Sequence, residues 1–121
     1  MKRILAIAAA AAVLAPALAV AQERMSDAHF IAASRCISFA ELPQLQSDSV
    51  DVSALRTAVA RGFRSESVSS DARNEARRVR VTAPSIAAAE GGVDELRRRR
   101  DEACSSFVQT GLVQQGAAHA S

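Results

Sequence analysis

The chain has 121 residues, of which 49% are hydrophobic and only 3% aromatic, with a formal net charge of +2. This length predicts one small domain, and Lys2 and Arg3 account for the net charge, because the remaining chain carries 13 Arg and 13 acidic residues. Balanced charge and the absence of Tyr and Trp argue against nucleic acid or an anionic membrane as a partner.

The first 21 residues have the pattern of a secretory signal peptide. Lys2 and Arg3 precede an apolar run over residues 4–18, and the small residues at 19–21 form the pattern that signal peptidases cut after. An uncleaved membrane anchor is the alternative, because about 18 apolar residues just suffice to span a bilayer. Pro16 interrupts the run and the cleavage pattern follows it. We therefore expect an exported protein, periplasmic or secreted in a bacterium, without a stable membrane anchor after cleavage.

Two amphipathic helices are predicted in the first half of the mature chain. Residues 26–42 repeat apolar side chains at steps of three and four, with Ser26 or Asp27 as N-cap and Pro43 as terminator. A polar connection extends from Pro43 to residue 49, and Asp51 then caps a second helix. The apolar stripes of the two helices are Phe30, Ala33, Ile37 and Ala40, and Val52, Leu55, Val59 and Phe63.

Two more helices are predicted in the second half. A Ser-rich loop at residues 65–70 precedes a third helix, which begins at Asp71 and is broken or kinked at Pro84. An Ala-rich turn follows and ends at Gly91-Gly92, which is a strong stop signal. The fourth helix extends over about residues 94–114, with its apolar face on Leu96, Ala103 and Phe107.

The mature chain has few side chains with which to form a core. From Gln22 onward, Ile, Leu, Val and Phe total 21 of 100 residues, close to the level at which a chain fails to offset its conformational entropy. Cys36 and Cys104 are the only cysteines, and in an oxidising compartment we expect them to form one disulfide. The chain-entropy model gives this bond about 4 kcal/mol of stabilisation. Two free thiols or an intermolecular bridge are the alternatives.

Together these patterns predict an all-α fold. We expect a small four-helix bundle-like domain at residues 22–121, with the disulfide joining the first and last helices and a frayed tail from about residue 116. No segment shows the sustained alternation of a half-buried strand. Three of the four Phe side chains fall on apolar helix faces and are expected in the core, whereas Phe39 lies off its stripe and is the candidate for exposure.

Two groups of arginines stand out among the charged residues. The four at positions 97–100 point in different directions around a helix, and Arg97, Arg98 and Arg99 have acidic residues four positions away, so we expect a solvated surface with several ion pairs. Arg73, Arg77 and Arg80 instead share one face of the third helix. They form a candidate partner-facing stripe for an acidic partner or phosphate groups, and a solvated face is the alternative.

We find no motif for catalysis, a cofactor or a metal ion. His29 lies about 10 Å along a helix from Cys36, beyond the reach of a thiol–imidazole pair, and His119 is in the predicted tail. The chain contains no G-x-S-x-G elbow, no glycine-rich phosphate loop and no C-x-x-C motif. We therefore expect no enzymatic activity and no bound cofactor or metal.

The leading functional hypothesis is an exported, non-catalytic helical interaction protein stabilised by one disulfide. It would present helix faces to a protein partner or to another copy of itself, and the thin core makes self-association plausible. The alternatives are a carrier with a pocket for a small apolar ligand, and a stress or acid chaperone. No residue discriminates among these three hypotheses.

Overall fold

The computed structural model describes residues 25–115 and shows an all-α fold, which confirms the predicted class. Five helical segments follow one another: α1 (Asp27–Ala40), a 3-10 helix (Pro43–Asp48), α2 (Ser53–Val59), α3 (Glu66–Ala88) and α4 (Gly92–Gln109). The β pairing found within residues 25–115 is one isolated antiparallel bridge between Asp51 and Gln114. The predicted signal peptide and the predicted tail from about residue 116 lie outside the described residues.

The first helix, α1, begins and ends close to its predicted limits. Ser26 is the N-cap, and its side-chain oxygen accepts a hydrogen bond from the backbone N–H of His29. The helix ends at Ala40, ahead of Pro43, because the residue before a proline avoids the helical region. Pro43 then begins the 3-10 helix, a position that suits proline since no N–H donor is needed there.

This 3-10 helix replaces the polar connection that was predicted at residues 43–49. It buries Leu45 in a cluster with Phe39 and Val79. One apolar side chain among polar neighbours has no periodicity, so the sequence carries little signal for this element. Its consequence is an additional core residue, Leu45.

The short helix α2 ends before Phe63. Its N-cap is Val52, which makes no side-chain cap hydrogen bond, so the predicted cap Asp51 lies one residue before the cap position. The Asp51 carboxylate still accepts hydrogen bonds from the N–H and the hydroxyl of Ser53. Gly62 has a positive φ of 78°, which only glycine adopts without strain, and the chain turns there. Phe63 consequently leaves the helical face and is 84% exposed, so its predicted place in the core is wrong.

Phe39 shows the opposite error, because it is only 3% exposed although it was the Phe expected at the surface. Its cluster includes Leu42 and Leu45, which follow it in the chain, and Val79 from α3. Helix α1 is central and packs against α2, α3 and α4. A single apolar stripe therefore underestimates how much of its surface is covered.

Helix α3 begins earlier and ends later than predicted. Ser65 is its N-cap and accepts a hydrogen bond from the N–H of Val68, so residues 65–70 are a cap and a helical turn rather than a loop. The helix also continues through Pro84 to Ala88. Buried Ala83 and half-buried Ile86 lie on either side of Pro84, and their packing offsets the hydrogen bond that proline removes.

The last helix, α4, follows α3 after a tight turn and ends before its predicted limit at residue 114. Gly91 adopts a left-handed φ of 70° and is the N-cap, so the two glycines separate the helices as predicted. At the other end, Gly111 has a φ of 83° and reverses the chain. The reversal buries Val113 and brings Gln114 to its backbone pairing with Asp51.

The Cys36–Cys104 disulfide joins α1 to α4, as predicted, with the two Cα atoms 4.9 Å apart. Both cysteines are buried in one of two apolar clusters, together with Leu55 and Phe107. The second cluster lies between α1, the 3-10 helix, α3 and α4 and includes Leu96. None of the helices within residues 25–115 combines the length and apolar character needed to cross a membrane.

Candidate interaction site

The arginines at 97–100 are only partly the solvated surface that was predicted. Arg98 and Arg99 pair with Glu95, and Arg98 also pairs with Glu102. The Glu95–Arg99 and Arg98–Glu102 pairs are two of those expected from the helical spacing. Arg97 instead pairs with Asp94 on its own helix and reaches Asp48, outside α4, at 2.8 Å.

Arg100 contradicts the solvated interpretation, because it is only 2% exposed. Its guanidinium donates hydrogen bonds to the backbone carbonyl and the carboxylate of Asp48, and it also pairs with Asp101. A buried cation requires such partners, since an unpaired one would lose its hydration without compensation. Arg100 therefore joins α4 to the 3-10 helix and is part of the structure.

Arg64 is a second buried arginine, and sequence reasoning missed it. It donates hydrogen bonds to the carboxylate of Asp27 at 2.7 Å and to the carbonyl of Met25 at 2.6 Å. Its guanidinium also lies 4.6 Å from the ring centroid of Phe30, within cation–π range. Arg64 fastens the start of α1 to the segment before α3 and is unavailable to a partner.

The predicted partner-facing stripe lies on an exposed face of α3. Arg73 is engaged there by Glu66, with 2.9 Å between the guanidinium nitrogen and the carboxylate oxygen. Arg77 and Arg80 are exposed and form no ion pair within the described part of the chain. The role of Arg73, Arg77 and Arg80 in binding stays a prediction.

A different set of arginines surrounds a groove between α1, α3 and α4. The groove has a volume of about 400 Å³, within the range of about 300–1,000 Å³ that is typical of ligand sites. We call it the arginine groove. Its lining residues are Arg35 and Phe39 from α1, Arg78, Val79, Thr82, Ser85 and Ile86 from α3, and Arg99 from α4.

Each of these three helices contributes one guanidinium group to the arginine groove, and none of the lining residues within the range 25–115 is acidic. Carboxylates pair with all three guanidinium groups: Glu75 pairs with both Arg35 and Arg78, and Glu95 pairs with Arg99. Hydrogen bonds from Arg98 and Arg99 lower the pKa of Glu95 from 4.5 to about 2. The three guanidinium groups thus share two carboxylates, which leaves excess positive charge at the groove.

The floor of the arginine groove is apolar and its hydroxyl groups are already engaged. Phe39 and Val79 are buried there, and the Arg35 guanidinium lies 5.1 Å from the centroid of the Phe39 ring. Thr82 donates to the carbonyl of Arg78 at 2.9 Å, and Ser85 donates to the carbonyl of Thr82 at 3.1 Å. The free hydrogen-bond donors at the groove are therefore mainly guanidinium N–H groups.

Two smaller cavities involve the part of α4 that follows Arg99. One, of about 250 Å³, is beside Cys104 and Val108. The other, of about 190 Å³, is lined by Met25, His29 and Phe107 among others, and the His29 ring meets Phe107 edge-on at 6.2 Å. Among residues 25–115, no three His, Cys, Asp or Glu side chains are grouped as a metal site would require.

Sequence reasoning could not find the arginine groove, because Arg35, Arg78 and Arg99 are far apart in the chain and on three helices. Periodicity relates residues within one helix, whereas the groove depends on how three helices pack. Comparison with known proteins gives no further guide, since no family model, curated protein or solved structure matches this chain.

Proposed function

We propose that this chain is an exported, non-catalytic helical protein that acts by binding a protein partner. The observation that carries the proposal is the arginine groove. Three guanidinium groups from three helices surround an apolar floor, without a carboxylate among the lining residues. The disulfide between α1 and α4 fastens two of the three helices that form this groove.

The chemistry of the groove favours binding over catalysis. Arginine stays protonated at all ordinary pH values and does not exchange protons as a general acid or base. The hydroxyl groups of Thr82 and Ser85 donate to backbone carbonyls, and no histidine or thiol that could activate them lines the groove. Guanidinium groups are, in contrast, well suited to hold carboxylates in a bidentate manner.

Export is supported by two separate features of the chain. The first 21 residues have the charge, apolar run and cleavage pattern of a signal peptide. The buried disulfide is of the kind that persists in the periplasm or outside the cell. We therefore propose that the mature protein works in one of these compartments.

Native mass spectrometry of the untagged protein, isolated from its export compartment after mild crosslinking, tests this proposal. We expect a chain shortened by residues 1–21 and lighter by two hydrogens, in a complex with another protein. A full-length or reduced monomer would contradict both export and partner binding. An added mass of a lipid or metabolite in place of a protein would contradict the proposal and support the carrier hypothesis.

A further inference from the structure

We propose that the arginine groove recognises an acidic, partly apolar segment of the partner protein. Carboxylate side chains of that segment would bind Arg35, Arg78 and Arg99, and a neighbouring apolar side chain would pack on half-buried Ile86. This inference rests on the proposed function, for which it names the site and the chemical class of the partner.

The arginines of the groove have hydrogen-bond donors that are not used within the described structure. A guanidinium group has five N–H donors, and the groove arginines use few of them within the described structure. Arg99 donates to Glu95 through Nε, and Arg78 donates to Glu75 through one terminal nitrogen. The Arg35–Glu75 ion pair is 3.6 Å long, which exceeds hydrogen-bonding distance. Each arginine therefore keeps donors with which it can bind an incoming carboxylate.

Contacts within the protein already hold the three guanidinium groups in position. Packing over Phe39 orients the Arg35 guanidinium, and ion pairs with Glu75 and Glu95 hold those of Arg78 and Arg99. Side chains that are already positioned lose less conformational entropy on binding. The same carboxylates neutralise part of the positive charge of the three guanidinium groups. The excess positive charge that remains attracts a ligand that carries negative charge.

The length of the arginine groove matches a short segment of extended peptide. From Arg78 to Ile86 the groove follows α3 for eight residues, which is about 12 Å at the rise of an α-helix. That length accommodates about four residues of extended peptide. Because apolar Val79 and Ile86 lie beside the arginines, the site suits a segment that carries both carboxylate and apolar side chains.

Other anionic partners fit the observations less well. A membrane surface needs a broad basic face, whereas the chain outside Lys2 and Arg3 carries 13 Arg and 13 acidic residues and the groove is narrow. Single-stranded nucleic acid binds through aromatic stacking, and the only ring that lines the groove is Phe39, which is buried. A protein segment is therefore the partner that charge and shape favour.

Fluorescence anisotropy with a labelled hexapeptide, Glu-Gly-Leu-Gly-Glu-Gly, tests the inference on the disulfide-closed protein from the export compartment, because its glutamate and leucine side chains share one face when the peptide is extended. We expect saturable binding that weakens with salt and is absent for a peptide with glutamine in place of glutamate. Arg35→Gln with Arg99→Gln should weaken binding at least about tenfold. The matched control, Arg77→Gln with Arg80→Gln, removes the same charge outside the groove and should change affinity less than about twofold.

Helicity and thermal unfolding, followed by circular dichroism, verify that each variant is folded. If the Arg35→Gln/Arg99→Gln protein does not fold, Arg78→Gln alone replaces it, because that side chain is exposed and its loss leaves Glu75 paired with Arg35. Equal weakening in the groove and control variants would overturn the inference, since it would indicate non-specific charge attraction. Equal binding of the glutamine peptide would overturn it as well.

Two further outcomes separate this inference from the proposed function. Complete displacement of the peptide by inorganic phosphate, or tighter binding to phosphatidylglycerol vesicles, would overturn recognition of a protein segment. If the crosslinking experiment captures the same partner with the wild type and with Arg35→Gln/Arg99→Gln, the inference fails while the proposed function stands. If the wild type captures no partner protein, the proposed function fails regardless of the result of the peptide-binding experiment.

Discussion

Individual arginines have different roles in this protein, and burial decides which. Arg64 and Arg100 are buried, and carbonyl and carboxylate groups accept hydrogen bonds from both, although the buried Nε of Arg64 has no partner among the described residues. Arg35, Arg78 and Arg99 are partly exposed and keep donors available. A buried charge is costly to leave unpaired, whereas an exposed ion pair contributes little. The two kinds of arginine should therefore respond very differently to substitution.

Replacement of Arg100 tests this difference. Arg100→Met removes the hydrogen bonds to Asp48 and leaves that half-buried carboxylate with fewer donors. We expect the free energy of unfolding in urea to fall by about 2–4 kcal/mol, somewhat less than the roughly 3–5 kcal/mol typical of a broken buried pair, because Arg97 still pairs with Asp48. Arg77→Met on α3 removes an exposed side chain that forms no ion pair within residues 25–115, and it should leave the unfolding curve nearly unchanged. Equal stability of the two variants would contradict a structural role for Arg100.

The carboxylate of Glu95 should make the free energy of unfolding depend on pH. Because Arg98 and Arg99 donate hydrogen bonds to its carboxylate, the pKa of Glu95 falls from 4.5 to about 2 on folding. The ionised group therefore stabilises the native state above about pH 4.5, and this contribution is lost as the pH falls from there towards 2.

Unfolding midpoints in urea, measured for Glu95→Gln and the wild type, check this pH dependence. The variant should be less stable than the wild type at pH 7, and the difference should vanish near pH 2. Glu90→Gln provides the control, because Glu90 is exposed and forms no ion pair within the described residues. A difference at pH 7 that persisted at pH 2 would indicate a packing effect instead of a loss of charge.

At the scale of elements, the turn between α3 and α4 depends on two glycines for different reasons. Gly91 needs its left-handed φ of 70° but has open space where a Cβ would be. A Cβ on Gly92 would overlap the carbonyl group of Ile86 and lie 2.9 Å from the Cα of Ala87. We expect Gly91→Ala to cost about 1–2 kcal/mol, as for a left-handed residue.

Gly92→Ala should cost more, about 3 kcal/mol or above, because backbone atoms have to move apart. Thermal unfolding of both variants measures the order of the two effects. The groove between α1, α3 and α4 should also open in Gly92→Ala, which peptide binding would report. A Gly91 variant less stable than the Gly92 variant would show that the positive φ, rather than the close approach, controls this turn.

The elements also show which parts of the structure a single sequence can predict. Helix existence, the cap Ser26 and the disulfide follow from local chemistry or from there being only two cysteines. The beginning of α3 at Ser65 was missed because serines are frequent both in loops and at N-caps. The helix continues through Pro84 because tertiary packing overrides a local penalty, which no local pattern reveals.

The errors in the core and the site have one physical cause, which is that helix packing relates residues distant in sequence. Phe39 is buried because α3 and the 3-10 helix cover it, although its own helix places it off the apolar stripe. Phe63 was counted on a stripe that ends at Gly62. Arg100 was predicted to be solvated like its three neighbours, because its partner Asp48 lies in another element. The arginine groove was hidden for the same reason.

For the whole molecule, stability rests on a thin core. Few large side chains are completely buried, among them Leu45, Leu55 and Leu96, and a domain of this size has a total stability of about 5–10 kcal/mol. The disulfide connects residues 68 positions apart, so the chain-entropy model assigns it about 4 kcal/mol. That contribution is a large share of the total.

Reduction of the disulfide should therefore bring the protein close to unfolding, and it should also impair peptide binding, since two helices of the arginine groove lose their covalent link. Urea unfolding with and without dithiothreitol measures the difference, which we expect to be about 4 kcal/mol. Cys36→Ala with Cys104→Ala should resemble the reduced protein and be insensitive to the reductant. A loss below about 1 kcal/mol would show that helix packing alone holds α1 against α4, and the groove would then persist in a reducing compartment.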